Sequence, residues 1–419
     1  MVKQAWGRLS ALKRIAVCLL LLVSLFHFAA GSWGAAEYGF VDLSIFLQLT
    51  AEFAAGGDLY VPADHVESYK PSAAVYKFPP LFAVLLLPQV QGGVHSGLYK
   101  AHWIAHMLLY LGAVALLASA LGRRAPPAFV FVLVLAALNL EPYFETLWRL
   151  QLETPILFLC ALGLWLELRG RPIGAGAALG VAAMLKVYPI FLLGWFIVRR
   201  SGRGLAGAAL AILATGALGW WVVGSEQNLL YWTVILPRLM QEVPSMGADN
   251  VALTKPLQRL IGIDPGIAKR VVQALALAAL SAGYWVLYRH GKQRRPEIDA
   301  ELSFGLFVCT MLLFMPNLWS NYLVLLIIPI ASILSHLFGS FDEVPAPALG
   351  TLAFAYFLML FYTPCAPFDP QTPCTRDPLF LGIFAWPREL HDLLVEWKTL
   401  ATAAVLAVWF VVARRAGAR

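Results

Sequence analysis

Charge is what this sequence has least of. Charged side chains make up 13% of the 419 residues, against 60% hydrophobic residues and a mean hydropathy of +0.72. A soluble domain carries about 25% charged residues, so a soluble enzyme of this length is excluded and a polytopic membrane protein is indicated. Cysteine is nearly as scarce, with five in the whole chain. Cys18, Cys160 and Cys309 lie inside apolar runs and read as small packing residues. Glycine-rich Walker and Rossmann loops are missing, and so is a His-Glu-x-x-His zinc motif. No internal repeat points to a transporter built from two inverted halves.

The charge that is present is placed, not scattered. The formal balance of +7 invites a nucleic-acid reading, but 18 of the 31 basic residues sit at the N-terminus, at the C-terminus and in short gaps between apolar runs. Arg123, Arg124, Arg169, Arg171, Arg199, Arg200, Arg203, Arg289, Lys292, Arg294 and Arg295 fill those gaps. About 18 of the 24 acidic residues fall in the alternate segments. This is the positive-inside pattern, which puts both termini in the cytoplasm and leaves no nucleic-acid partner. The long irregular segments, 31–79, 224–266 and 363–399, then face outward, where function concentrates in loops. The expected localisation is a bacterial inner (plasma) membrane, with the whole of 1–419 as one integral membrane domain.

Apolar runs predict about ten full crossings. They begin at Ile15, Ser96, Pro127, Leu152, Leu205, Ile267, Leu302, Tyr322, Leu349 and Leu400. The run from Leu81 is too short to cross. Between Arg171 and Arg199, both expected in the cytoplasm, lies AGAALGVAAMLKVYPIFLLGWFIV. Its pieces on either side of Lys186 and Pro189 reach at most about 18 Å of helix, short of the roughly 30 Å hydrocarbon core. They predict a re-entrant helical hairpin with Lys186-Val187-Tyr188-Pro189 at its tip. Cys365 and Cys374 flank an outer loop in an oxidising compartment, so a disulfide is expected there.

The segment from 36 to 88 organises the chemistry. Leu43 to Phe53 has helical apolar spacing and predicts an amphipathic helix lying in the membrane interface; Gly56 and Gly57 end it. Asp42 stands where the first span emerges, and a carboxylate at that height must be solvated, paired or used. Asp58, Lys77, Glu141, Glu145, Arg149, Gln151, Glu153, Arg259, Asn317 and Asn321 are expected on or near the same outer face, with Lys186 reaching toward it. Arg149 and Glu153 are four apart, so a salt bridge along one helix is the alternative to a role for them in the site. A carboxylate with several cations suits removal of a proton from a hydroxyl while a phosphate leaves.

These pieces occur in a recognisable order: Val41-Asp42-Leu43, Gly57-Asp58-Leu59-Tyr60, Lys77-Phe78-Pro79-Pro80, Leu150-Gln151-Leu152-Glu153, Lys186 to Pro189, and Asn250-Val251-Ala252 followed by Arg259. In that order the chain resembles glycosyltransferase family 87, the polyprenyl-phosphate-mannose-dependent mannosyltransferases of the GT-C superfamily. The chain departs from the family's pattern where Trp319-Ser320-Asn321-Tyr322 stands for a Trp-x-His-His-Tyr-like stretch. It departs again at Gln151, which lacks its preceding Gly, and at Glu153, which replaces Asn. The resemblance implies an all-α GT-C-like fold. It implies inverting transfer of a sugar, mannose first, from a polyprenyl-phosphate donor to a lipid or glycan acceptor on the extracytoplasmic face, among membrane lipid. Asp42 would be the catalytic base. Lys186, Arg259 and Lys77 would hold the phosphate, with Asp58, Tyr60, Gln151, Glu153, Asn250 and Asn321 completing the substrate site. No cofactor and no metal are expected. The competing class, a transporter or flippase of a lipid-linked sugar, would keep the basic pocket but not need Asp42 as a base.

Overall fold

The computed structural model describes residues 11–38, 41–60, 76–122, 125–241, 250–290, 296–340, 346–360 and 398–416. The expected Cys365–Cys374 bridge and nearly all of the loop 363–399 lie outside the described residues, as do Arg123 and Arg295. Every regular element among the described residues is helical. In chain order these are α1 (Ala11–Tyr38), α2 (Val41–Ala54), α3 (Pro80–Val90), α4 (Ser96–Leu121), α5 (Pro127–Leu138), α6 (Glu141–Arg149), α7 (Glu153–Leu168), α8 (Pro172–Leu185), α9 (Leu193–Val198), α10 (Gly202–Val223), α11 (Ser225–Leu230) and α12 (Leu236–Gln241). They continue as α13 (Thr254–Ile261), α14 (Pro265–His290), α15 (Pro296–Phe314), α16 (Ile327–Ser340), α17 (Ala346–Met359) and α18 (Thr399–Ala416). A 3₁₀ turn, Tyr188–Leu192, precedes α9, and another, Ser320–Leu326, leads into α16.

Five described segments are long and apolar enough to cross a membrane: Arg14–Ala36, Ser96–Leu121, Gly202–Val223, Pro265–Arg289 and Ser320–Phe338. A sixth is added if α5 and α6, bent by 44° at their junction, form one span. Each of the ten expected runs coincides with helix among the described residues, but several of those helices are too short, and one too bent, to count as a full crossing. Asn139 breaks the expected Pro127–Tyr143 span by turning its amide back onto Leu135 O at 2.8 Å and across to Ser24 Oγ at 2.9 Å. Pro142 then starts α6, where its missing N–H costs nothing. The stretch from Ser320 to Phe338 is the interior of the molecule: 94% of its apolar window is buried, against 17% for the first span.

Small residues set the closest helix crossing. A Cβ on Gly176 of α8 would meet Gly204 O of α10 at 1.8 Å, and one on Gly207 would meet Ile173 O at 2.0 Å. The two backbones touch because both faces are glycine and alanine, the packing that membrane helices use where apolar area supplies no drive to associate. α8 also packs against α7, so the helix that leads to Lys186 is held by two neighbours. Lys186 leaves the helical region (φ −153°, ψ 134°), and Pro189 follows three residues later at the expected tip.

The helix expected over Leu43 to Phe53 exists as α2. Leu43, Phe46, Leu47 and Thr50 are buried at helical spacing, while Gln48 and Glu52 on the opposite face are exposed and hydrogen-bonded to each other. Gly56, at φ +97°, closes α2: its N–H reaches Phe53 O and that of Gly57 reaches Glu52 O, the paired bonds of a left-handed helix stop. Phe46 packs edge-on against Phe78, with ring centroids 4.6 Å apart, and against Tyr76 and Phe82. That aromatic nest ties α2, and so Asp42 in its first turn, to the segment entering α3.

Candidate active site

One residue in a rare conformation shapes the site. Leu150, buried and non-glycine, adopts φ 48° and ψ 47° between α6 and α7, which costs roughly 1–2 kcal/mol. It stops α6 and redirects the chain, so Arg149 and Glu153 do not sit on one continuous helix and do not pair. Arg149 Nη1 instead lies 3.6 Å from Asp42 Oδ2, and Glu153 Oε1 takes Lys186 Nζ. The alternative of a pair within one helix thus gives way to two long-range pairs, each bringing a separate part of the chain to the same place.

Gln151 stands at the centre. Its Oε1 accepts from Lys186 Nζ at 3.2 Å and from Asn321 Nδ2 at 3.3 Å. With the oxygen so occupied, the amide NH₂ must face the other way, and it donates to Asp42 Oδ2. Both contacts to Asp42 fall on Oδ2, so Oδ1 is the oxygen without a partner among the described residues. The Asp42 side chain keeps 18% of its surface open, whereas Glu153 keeps none. The carboxylate that is still reachable is therefore Asp42. Lys186 sits in an aromatic cage, 4.1 Å from the Tyr322 ring centroid and 5.1 Å from that of Phe78, with Tyr188 stacked on Tyr322. Such rings stabilise an ammonium by about 2 kcal/mol when it is desolvated.

The remaining expected residues divide into groups. Asp42, Gln151, Glu153, Lys186 and Asn321 form this single network. Asp58 and Tyr60 form a second one: Gln227 of α11 donates to Asp58 Oδ1 at 2.8 Å and accepts from the Tyr60 N–H at 2.8 Å. Tyr60 also donates its hydroxyl to Phe78 O at 2.7 Å. Burial, with Tyr76 and Tyr231 nearby, pushes this phenol well above its usual range, so it remains a neutral donor. Asn250 is a brace, with its Oδ1 accepting from Ala252 N and Leu318 N. It thereby holds the segment before α13 against the link that leads to Asn321. Lys77 is half-buried beside Phe78, and Arg259 lies near the exposed end of α13; neither belongs to the Asp42 network. Among the described residues no three His, Cys, Asp or Glu side chains cluster to hold a metal ion.

Sequence reasoning placed Arg149 on this face without giving it a role at the site. It gave Tyr322 no role at the site, and it missed Gln227 and Lys398 altogether. Lys398, fully buried at the start of α18, donates to Ser320 Oγ at 2.9 Å and lies 3.8 Å from Glu145 Oε1. The one available signal was a lysine directly before an apolar run.

A family model for Glycosyltransferase family 87 matches residues 76–316, more than half of the chain. That stretch holds Lys77, Gln151, Glu153, Lys186, Asn250 and Arg259; Asp42, Asp58 and Tyr60 precede it and Asn321 follows it. The chain is also similar to a polyprenol-phosphate-mannose-dependent alpha-(1-2)-phosphatidylinositol mannoside mannosyltransferase of Mycobacterium tuberculosis. The two are 25% identical over 410 residues, covering 94% of this chain and 91% of the relative.

Proposed function

The chain belongs to glycosyltransferase family 87, and on that premise we propose that it moves mannose from a polyprenyl-phosphate donor to a hydroxyl of a lipid or glycan acceptor, on the extracytoplasmic face and with inversion. The mycobacterial relative, dependent on polyprenol-phosphate-mannose by name, supports the donor. The observation that carries the reading is Asp42, a partly open carboxylate with one oxygen held by Gln151 and Arg149 and the other available. Asp42 Oδ1 takes the proton of the acceptor hydroxyl. The oxygen attacks the anomeric carbon from the face opposite the phosphate, the glycosidic bond forms as the carbon–phosphate-oxygen bond breaks, and a β-linked donor gives an α-linked product. Arg149 and Lys186 stand on either side of Gln151 to meet the leaving phosphate, with Lys77 and Arg259 as outlying cations.

The topology follows the same reading. One GT-C-type domain spans the chain with about ten crossings, of which five or six are helices of full length. The segment 172–198 is a re-entrant hairpin, because the 14 residues of α8 reach only about 21 Å. Residues 31–79, 224–266 and 363–399 face outward, and both termini lie in the cytoplasm. Purified protein in nanodiscs, given polyprenyl-phosphate-mannose and membrane glycolipids, should yield a glycolipid with one added α-linked mannose and release polyprenyl phosphate. Movement of intact donor across a vesicle bilayer, with no new glycosidic bond, would make the protein a flippase instead.

A further inference from the structure

We propose that Lys398 is a positioning residue for the Asp42 carboxylate, holding in place both groups that grip Oδ2. The inference rests on the reading of Asp42 as the base. Lys398 has no solvent access. Its Nζ bonds Ser320 Oγ and faces Glu145, which is also buried. A cation in such a place is retained only where its partners are fixed, since a buried charge is costly unless paired and hydrogen-bonded.

Two short routes lead from this clamp to Asp42. The first runs through the 3₁₀ turn. Ser320 is tied to Lys398, the next residue, Asn321, donates to Gln151, and Gln151 donates to Asp42. Tyr322, next again, covers the Lys186 amine. Three consecutive residues thus each hold one part of the site, and Lys398 holds the first. The second route runs along α6. Glu145 and Arg149 are one turn apart on one face, and Arg149 reaches Asp42. Thr146, beside Glu145, donates to Asn321 O at 3.2 Å and joins the two routes. Lys398 enters from a helix that contributes nothing else to the Asp42 network, so it acts through these groups and not on the substrate.

The test measures transfer kinetics per folded protein in nanodiscs for Lys398→Met, Lys398→Arg, Ser320→Ala and the pair Glu145→Gln/Lys398→Met. Misplacing a base by about 1 Å costs up to roughly 100-fold. Lys398→Met should therefore lower kcat by about 10- to 100-fold with KM for donor and acceptor little changed, and Lys398→Arg should recover most of it. The neutralised pair should melt like the wild type yet keep the low kcat. If it regains wild-type kcat, Lys398 only compensates Glu145 and the proposal falls. It falls equally if folded Lys398→Met turns over normally. Should Lys398→Met not fold, Ser320→Ala decides, with reduced kcat supporting the proposal and unchanged kcat overturning it. Asp42→Asn runs alongside. If Asp42→Asn still transfers sugar, the reading of the base has failed; if it is inactive while the Lys398 and Ser320 variants are normal, only the positioning role has failed.

Discussion

An ammonium group with little access to solvent is stable beside its counter-charge, and for Lys186 that counter-charge is Glu153. Removing one partner of a buried pair costs about 3–5 kcal/mol, because the other charge is left behind. Lys186→Met alone should therefore lower the melting temperature markedly. Lys186→Met/Glu153→Gln should melt near the wild type while still using donor poorly, by roughly 10- to 150-fold for a lost charge-assisted contact of about 1.5–3 kcal/mol. Thermal denaturation followed by donor titration separates the two effects. Wild-type donor use by the double variant would make Lys186 a structural residue. At this scale the sequence was legible where one residue was out of character for its surroundings: Asp42 at a membrane edge, Lys186 in an apolar run. Partners were not legible. Gln151 and Asp42 are 109 residues apart, and the pairing of Arg149 changed because Leu150 took a left-handed conformation that leucine does not advertise.

Elements place these side chains by how closely their backbones approach. Gly176 meets Gly204 at a distance that leaves no room for a methyl group, so Gly176→Val should push α8 from α10 and displace Lys186 with it. Loss of the folded, monodisperse protein in detergent is the expected outcome; normal folding and activity would show that the crossing is loose. Phe46 anchors α2 in its aromatic nest, and Phe46→Ala should cost about 3–5 kcal/mol, read as a fall in melting temperature together with slower transfer. The helices themselves were readable from periodicity and from Pro and Gly. The break before Pro142 was not, because it depends on Asn139 finding Ser24, a residue of the first helix. Nor did apolar composition count the crossings: several of the expected runs are themselves shorter than a full span, and their helices fall short with them.

Across the whole molecule, most basic residues fall in the short gaps between apolar runs, and on the proposed topology that puts 31–79, 224–266 and 363–399 on the outer face. Ser225 begins α11, the helix whose Gln227 holds Asp58 and Tyr60. With the native cysteines replaced by serine, Ser225→Cys should react with an impermeant thiol reagent in intact cells. Labelling only after lysis would invert the topology. The most direct test of the central claim is the turnover of Asp42→Asn. Asparagine keeps the shape and can still face Gln151 and Arg149, but it cannot take a proton. Transfer from polyprenyl-phosphate-mannose to glycolipid should fall by about 100-fold or more, with folding and donor binding retained. Wild-type turnover by Asp42→Asn, with Asp58→Asn inactive, would contradict it and move the base to Asp58.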